Sequence, residues 1–351
     1  MIDFATQRYA LLALAAAALF GATTPLAKLL QAEITPGFLA GLLYLGSGAG
    51  LALVQAVRGR GGRAAEAPLQ PPDYPWLAGA VLCGGIAAPL LLMWGLAGAR
   101  ASNVALLLNL EGILTALIAA LAFREAVGAR IWLAACLMLA AGLLLGYDAR
   151  AGFGVSPHTL AVAAACALWA LDNNLTRRIA AGDPVQIAMI KGLAAGCVNI
   201  GAALALGARL PAPAPLAGAL VLGWLGYGVS LALYIVALRH LGSARTAAHF
   251  STAPFIGAVL ALALPGEPLT PVFVCAFALM LAATSLTLTE RHLHAHVHEA
   301  EEHAHLHTHD AHHQHAHRGD EGPEPHAHPH AHTPLEHSHA HLPDLHHRHR
   351  H

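Results

Sequence analysis

Glu111 lies in the middle of an apolar stretch, Asn103–Phe123, with Asn109 just before it and Thr115 one helical turn after it. Residues four apart share a helix face, so Thr115 is expected beside Glu111. An ionisable group at membrane depth is costly, and it calls for a reason. A carboxyl there is suited to passing a proton or meeting a cationic substrate. It can equally cap or pair with a neighbouring helix. Three other polar groups sit in similar surroundings. Asp172-Asn173-Asn174 follows the apolar run Leu160–Leu171 and precedes Arg177-Arg178. This reads either as an interrupted helix of the kind that forms carrier sites or as the plain end of a short span. The two arginines favour the end of a span. Lys191, two turns into the next apolar run with Asn199 beyond it, can pair with Glu111 or Asp172, or snorkel to the surface, the simpler reading. His249, near Ser251, Thr252 and Pro254, reads first as a hydrogen-bonded structural group. Lys28 closes the first apolar run and is expected at the outer interface.

A second chemistry sits at the C-terminal end. From His292 to His351 there are 23 histidines in 60 residues. Many alternate with small residues, as at His292, His294, His296 and His298, at His303, His305, His307 and His309, and at His326, His328, His330 and His332. Neutral imidazole ligates zinc, nickel, copper and cobalt, and histidines two apart can close round an ion in many equivalent ways. Nine carboxylates, among them Glu301, Glu302 and Asp310, can supplement them. The segment has few large apolar residues and five prolines, so it is expected to be disordered without metal. The ligand types do not select one metal.

The elements that must position the inner polar groups follow from composition. Of 351 residues, 56% are hydrophobic and 11% charged, and the mean hydropathy is +0.54. A soluble domain is roughly a quarter charged, so a soluble enzyme with one ordinary core is excluded. No basic cluster exceeds three arginines, which argues against a nucleic-acid partner. Residues 1–290 carry a net charge of +4, and residues 291–351 one of −5. Five cysteines lie in apolar stretches without a Cys-x-x-Cys pair and read as small buried hydrophobes.

A bilayer core of about 30 Å takes roughly 20 apolar residues of helix. Ten stretches meet that measure: Tyr9–Leu30, Pro36–Val57, Trp76–Ala97, Asn103–Phe123, Ala126–Tyr147, Leu160–Ile179, Val185–Leu206, Leu216–Leu238, Ala247–Leu264 and Val272–Leu288. Breakers such as Thr35-Pro36-Gly37, Asp183-Pro184 and Pro265-Gly266-Glu267-Pro268 separate them. The first stretch follows Arg8, but Asp3 and its continuation to Lys28 fit a retained helix better than a cleaved signal. Counting Lys and Arg in alternate loops puts ten on one side and four on the other. The basic side should be cytoplasmic, and with an even span count both termini are expected there, in a plasma (inner) membrane protein.

The chain also resembles itself at half length. Asn109–Leu117 aligns with Ser251–Val259, placing Glu111 against Ala253 and Arg124-Glu125 against Gly266-Glu267. Phe20-Gly21 similarly aligns with Trp169-Ala170. Five spans per copy is an odd number, so the second copy should enter the membrane from the opposite side. Two degenerate motif pairs carry a family resemblance: an aromatic-Gly pair split between Phe20-Gly21 and Trp169-Ala170, and a Glu-Pro pair split between Glu111-Gly112 and Ala253-Pro254. Gly266-Glu267 is intact and Arg124-Glu125 degraded. Over about residues 9–290 the chain resembles the EamA-type branch of the drug/metabolite transporter superfamily. That resemblance implies a plasma-membrane carrier, usually an exporter of small metabolites, and not an enzyme.

The expected fold is thus all-α and polytopic: ten transmembrane helices in two inverted five-helix repeats, 1–148 and 149–290, and a disordered cytoplasmic tail, 291–351. The expected function is export of a small solute by alternating access. Glu111, Asn109, Thr115, Asp172, Asn173, Lys191 and His249 are the candidate cavity groups. No cofactor is required, but the tail is expected to bind zinc, nickel or cobalt. A metal exporter fed or gated by the tail, or a membrane-anchored metal buffer or sensor, are the alternatives. The partners expected are the bilayer, a solute and divalent ions, with homodimerisation left open.

Overall fold

A computed structural model describes residues 4–59, 69–123, 128–148, 154–179, 183–241, 243–264 and 266–289, and the backbone of 292–298, 301–307, 326–332 and 335–341. The first half contains α1 (Phe4–Leu30), α2 (Pro36–Gly59), α3 (Tyr74–Ala80), α4 (Ala88–Gly98), α5 (Ala101–Leu107), α6 (Leu110–Phe123) and α7 (Ala129–Gly146). The second contains α8 (Pro157–Thr176), α9 (Pro184–Ala205), α10 (Pro213–Gly223), α11 (Ser230–Leu241), α12 (Ser243–Phe250), α13 (Ala253–Ala263) and α14 (Pro271–Leu288). The breaker residues set several starts. Ser156 accepts from the His158 N–H, Asp183 from Val185 and Thr270 from Phe273, and each is followed by proline at the first helical position.

Among the described residues, nine helical segments are long and apolar enough to cross a membrane. Large apolar side chains such as Leu11, Leu121, Leu139 and Leu206 stand on the outside, as a lipid-facing surface requires. The remaining long helix, α8, has 20 residues but falls short in apolarity because Asp172, Asn173 and Asn174 lie within it. By that measure nine of the ten expected spans are found among the described residues, and the sixth, α8, has spanning length with a polar C-terminal part.

α8 runs unbroken through Asp172 and ends at Thr176, just before Arg177-Arg178, so the alternative of an interrupted helix does not hold. The breaks lie in the fourth span of each half instead. α5 ends at Leu107 and α6 begins at Leu110, while α12 ends at Phe250 and α13 begins at Ala253. Asn109 and Thr252 supply the local chemistry. The Asn109 side-chain amide donates to the Leu106 carbonyl, and the Thr252 hydroxyl donates to the His249 carbonyl. These bonds compete with the helical ladder and stop it.

The third span of each half carries a π-helical insert, Val81–Ala87 between α3 and α4 and Trp224–Val229 between α10 and α11. Packing is likewise matched. α2 runs along α9 and α7 along α14, while α1 packs on α11 and α13 as α8 packs on α4 and α6. The correspondence extends to single residues: Gly84 of one insert lies against Asp172 of α8, and Gly226 of the other against Thr23 of α1. Phe38, Leu43, Met93, Leu96, Leu106, Leu107 and Met280 fill the main core.

In the tail the backbone forms β1 (His292–His298), β2 (Glu301–His307), β3 (His326–His332) and β4 (Leu335–His341). β1 pairs antiparallel with β4, and β2 with β3, in one shared register. The alternation of histidine with small residues has the two-residue period of a strand. His309 lies outside the described residues.

Candidate functional site

The π insert in the third span is the starting point. A π turn leaves carbonyls outside the usual ladder, and buried carbonyls must find donors elsewhere. The Gly84 carbonyl accepts from the Tyr44 hydroxyl of α2 at 2.6 Å and from the Trp169 indole N–H of α8 at 2.9 Å. The Gly85 carbonyl accepts from the Asn199 amide of α9 at 3.3 Å. Three helices are thereby fixed around one insert.

Asp172 is 2% exposed and packs on Gly84. It accepts from the Thr176 hydroxyl one turn on and forms an ion pair with Lys191 of α9. Lys191 therefore points inward to a carboxylate, and the snorkelling expectation is corrected. A buried carboxylate holds its charge only with such a partner, which outweighs the lysine's gain from surface hydration. Asp172 is likewise not a solvated helix end.

From the next residue of the same helix, the Asn173 amide donates to Glu111 Oε1 at 2.9 Å and to the Thr115 hydroxyl at 3.3 Å. The Thr115 hydroxyl donates to the Glu111 carbonyl at 2.8 Å, and the Asn174 amide donates to the carbonyls of Ala170 and Thr115. The α6–α8 contact is therefore polar. Its counterpart, α1 on α13, is a dry approach of Gly21 to the backbone of Ala253 and Gly257. The motif split seen in the sequence explains the contrast, since Glu111 stands where the other half has Ala253.

Glu111, Thr115, Asn173, Asp172 and Lys191 are thus gathered on α6, α8 and α9. Asn109 is not among them: it turns to the helix break and to the Thr284 hydroxyl of α14. His249 lies in the last turn of α12, and its side chain enters no hydrogen bond among the described residues. Tyr44 and Gly84 carried no signal in the sequence that singled them out. Trp169 stood in a motif, and its role as donor to the π insert gives that motif a structural reason.

A separate polar arrangement closes one end of the bundle. The turn between α4 and α5 is held from both sides. Lys28 of α1 donates to the carbonyls of Leu96, Ala97 and Ala99 at 2.6, 3.1 and 2.9 Å. Glu267, next to Gly266 in the left-handed conformation (φ 68°), accepts from the N–H groups of Ala101 and Ser102 and from the Ser102 hydroxyl at 2.5 Å. A cation meets the end of one helix and an anion the start of the next, as the helix dipoles favour.

The fold and motifs have known counterparts. An uncharacterized transporter of Methanothermobacter thermautotrophicus is 26% identical over 266 residues, 71% of this chain and 77% of its own. A crystal structure described simply as that of a protein is similar with a TM-score of 0.58 and 21% identity, covering 80% of this chain and 95% of its own. At that identity the likeness concerns the fold alone. Residues 7–147 and 157–289 each match the EamA-like transporter family, one match per half, and the chain belongs to that family.

Proposed function

We propose that this chain carries a small organic solute across the plasma membrane by alternating access, with no enzymatic step. The observation that carries the reading is the polar group Glu111–Asn173–Thr115 beside the Asp172–Lys191 pair, inside an otherwise apolar bundle. α8 serves as the tenth span, and the halves 1–148 and 149–290 act as inverted repeats that rock about this group. Both fourth-span breaks and both π inserts depart from the regular helical ladder, as the interrupted helices of carrier sites do. The ten-to-four asymmetry of Lys and Arg puts both termini in the cytoplasm and the Lys28–Glu267 clasp on the outer side. In that setting the clasp closes the outer entrance.

The 23 tail histidines favour a second reading, export of zinc, nickel or cobalt fed by the tail. Within the bundle, however, Asp172 is already engaged by Lys191. Among the described residues no three His, Cys, Asp or Glu side chains come together as a metal would need. An organic solute is therefore the better fit, with the tail binding metal as a buffer or sensor. Uptake of metabolites and of metal into inverted vesicles, with the full chain and with a chain ending at Glu290, decides between the two. Metal uptake that vanishes with the tail would establish the second reading.

A further inference from the structure

We infer that the solute is an organic cation with an apolar or aromatic body, and that it exchanges with a proton on Glu111; this rests on the carrier reading above. Three observations converge. First, the charges at the centre do not balance. Lys191 is taken by Asp172, and Glu111 is met only by the neutral Asn173 amide, at Oε1. Its second oxygen accepts no hydrogen bond among the described residues. With both carboxylates ionised the group carries one uncompensated negative charge, which costs free energy until a cation or a proton arrives.

Second, aromatic rings run through the interior beside that charge. Trp169 bonds to Tyr44; Tyr44 meets Tyr227 at 5.8 Å, Tyr227 meets Phe20 at 5.7 Å, and Phe20 meets Phe250 at 5.4 Å. Trp169 lies one turn before Asn173, the partner of Glu111, on α8, so this row of rings begins beside the carboxylate. All five rings are half-buried although they contact one another and the central helices. Partly exposed aromatic rings next to a carboxylate suit a cation with an apolar body.

Third, the pseudo-symmetric position opposite Glu111 is Ala253, packed dry against Gly21. The centre therefore offers one carboxylate, enough for one monovalent charge. Protonated Glu111 releases its proton to water as the ammonium of the solute takes its place, and the reverse occurs on the other side. One proton moves against one cation, no bond to carbon changes, and no net charge crosses. The titratable and charged groups facing Glu111 are Asp172, Cys166, Lys191, Tyr44 and Tyr227. Of these, Asp172 and Lys191 cancel.

The test is calorimetric titration of the purified full chain with phenethylammonium and with its anionic near-isostere 3-phenylpropionate, across pH. The expected result is preference for the cation, proton release on binding, and affinity that rises with pH while Glu111 is still protonated. Glu111→Gln should weaken cation binding roughly 10- to 100-fold, the change that loss of one charged hydrogen bond gives, and abolish the proton release. Glu111→Asp, which keeps the charge, should retain both and guards against a folding defect in the amide variant. Equal or tighter binding of 3-phenylpropionate, or cation binding without proton release, overturns the inference. Should anion binding in turn depend on Glu111 and Asn173, the carrier site stands and only the solute class falls. Binding of either probe untouched by Glu111→Gln removes the site itself.

Discussion

The Asp172 carboxylate lies directly on Gly84, in space that a β-carbon at position 84 would occupy. The same insert also presents the Gly84 carbonyl to Tyr44 and Trp169. Gly84→Ala should therefore displace Asp172 and loosen all three partners. Overpacking of this kind costs about 1–3 kcal/mol. We expect a lower thermal midpoint in detergent and loss of transport. Gly37→Ala, whose added carbon meets only a Leu90 methyl at 3.6 Å, is the matched control and should change neither.

The Asp172–Lys191 pair gives a second prediction. Asp172 is almost fully buried and Lys191 partly so. Removing one partner strands the other charge, at a cost of about 3–5 kcal/mol for a buried pair. Asp172→Asn should thus be strongly destabilising, whereas the double change with Lys191→Met should recover much of the loss. Thermal unfolding of the three variants measures the coupling. A loss in the double variant equal to the sum of the two single losses would mean that the pair contributes no coupling.

How much of this was legible beforehand follows from the reach of each interaction. Most span positions and the repeat follow from local apolarity and motif spacing and could be read along the chain. The Lys191–Asp172 pair joins two helices and could only be offered as one option, and the simpler option was wrong. A break at Asp172-Asn173-Asn174 was one of two readings, beside the end of a span, because polar residues interrupt apolar patterns. Those residues are instead satisfied across α8 by Glu111, Thr115 and Lys191, so the helix continues. The actual break at Asn109 depends on one side-chain bond to the Leu106 carbonyl. The π inserts have no signature in hydropathy, since a one-residue insertion leaves an apolar run apolar.

The clasp on the α4–α5 turn yields a third prediction. Lys28 and Glu267 come from opposite halves of the chain yet hold one turn. Lys28→Ala or Glu267→Gln should free the turn and shift the carrier toward the state open at that end. A cysteine placed at Ala101, fully buried here, should then react faster with a membrane-impermeant thiol reagent added outside. Unchanged labelling in both variants would make the clasp a fixed structural joint.

Orientation is the fourth. Reporter fusions after Glu290 should give a cytoplasmic signal, because ten of the loop Lys and Arg fall on the side that an even span count assigns to the tail. A periplasmic signal would reverse the clasp to the inner face and remove the tail from cytoplasmic metal.

The tail supports the last prediction. Its backbone register places His292 opposite His341, His294 opposite His339 and His296 opposite His337, with a second set at His303–His330, His305–His328 and His307–His326. Imidazole ligates only when neutral, and its unperturbed pKa is about 6.5. Protons and metal compete for the same nitrogens, so affinity is held above that pKa and lost as pH falls through it. The full chain should bind several zinc or nickel ions near pH ~7.5 and release most of them near pH ~5. A chain ending at Glu290 should bind none of these ions while keeping its helices inserted, since the described core is built from residues of the bundle alone. Equilibrium dialysis of both chains at both pH values separates the outcomes. Binding that survives truncation would move the metal site into the bundle, and affinity unchanged at the lower pH would exclude imidazole as its ligand.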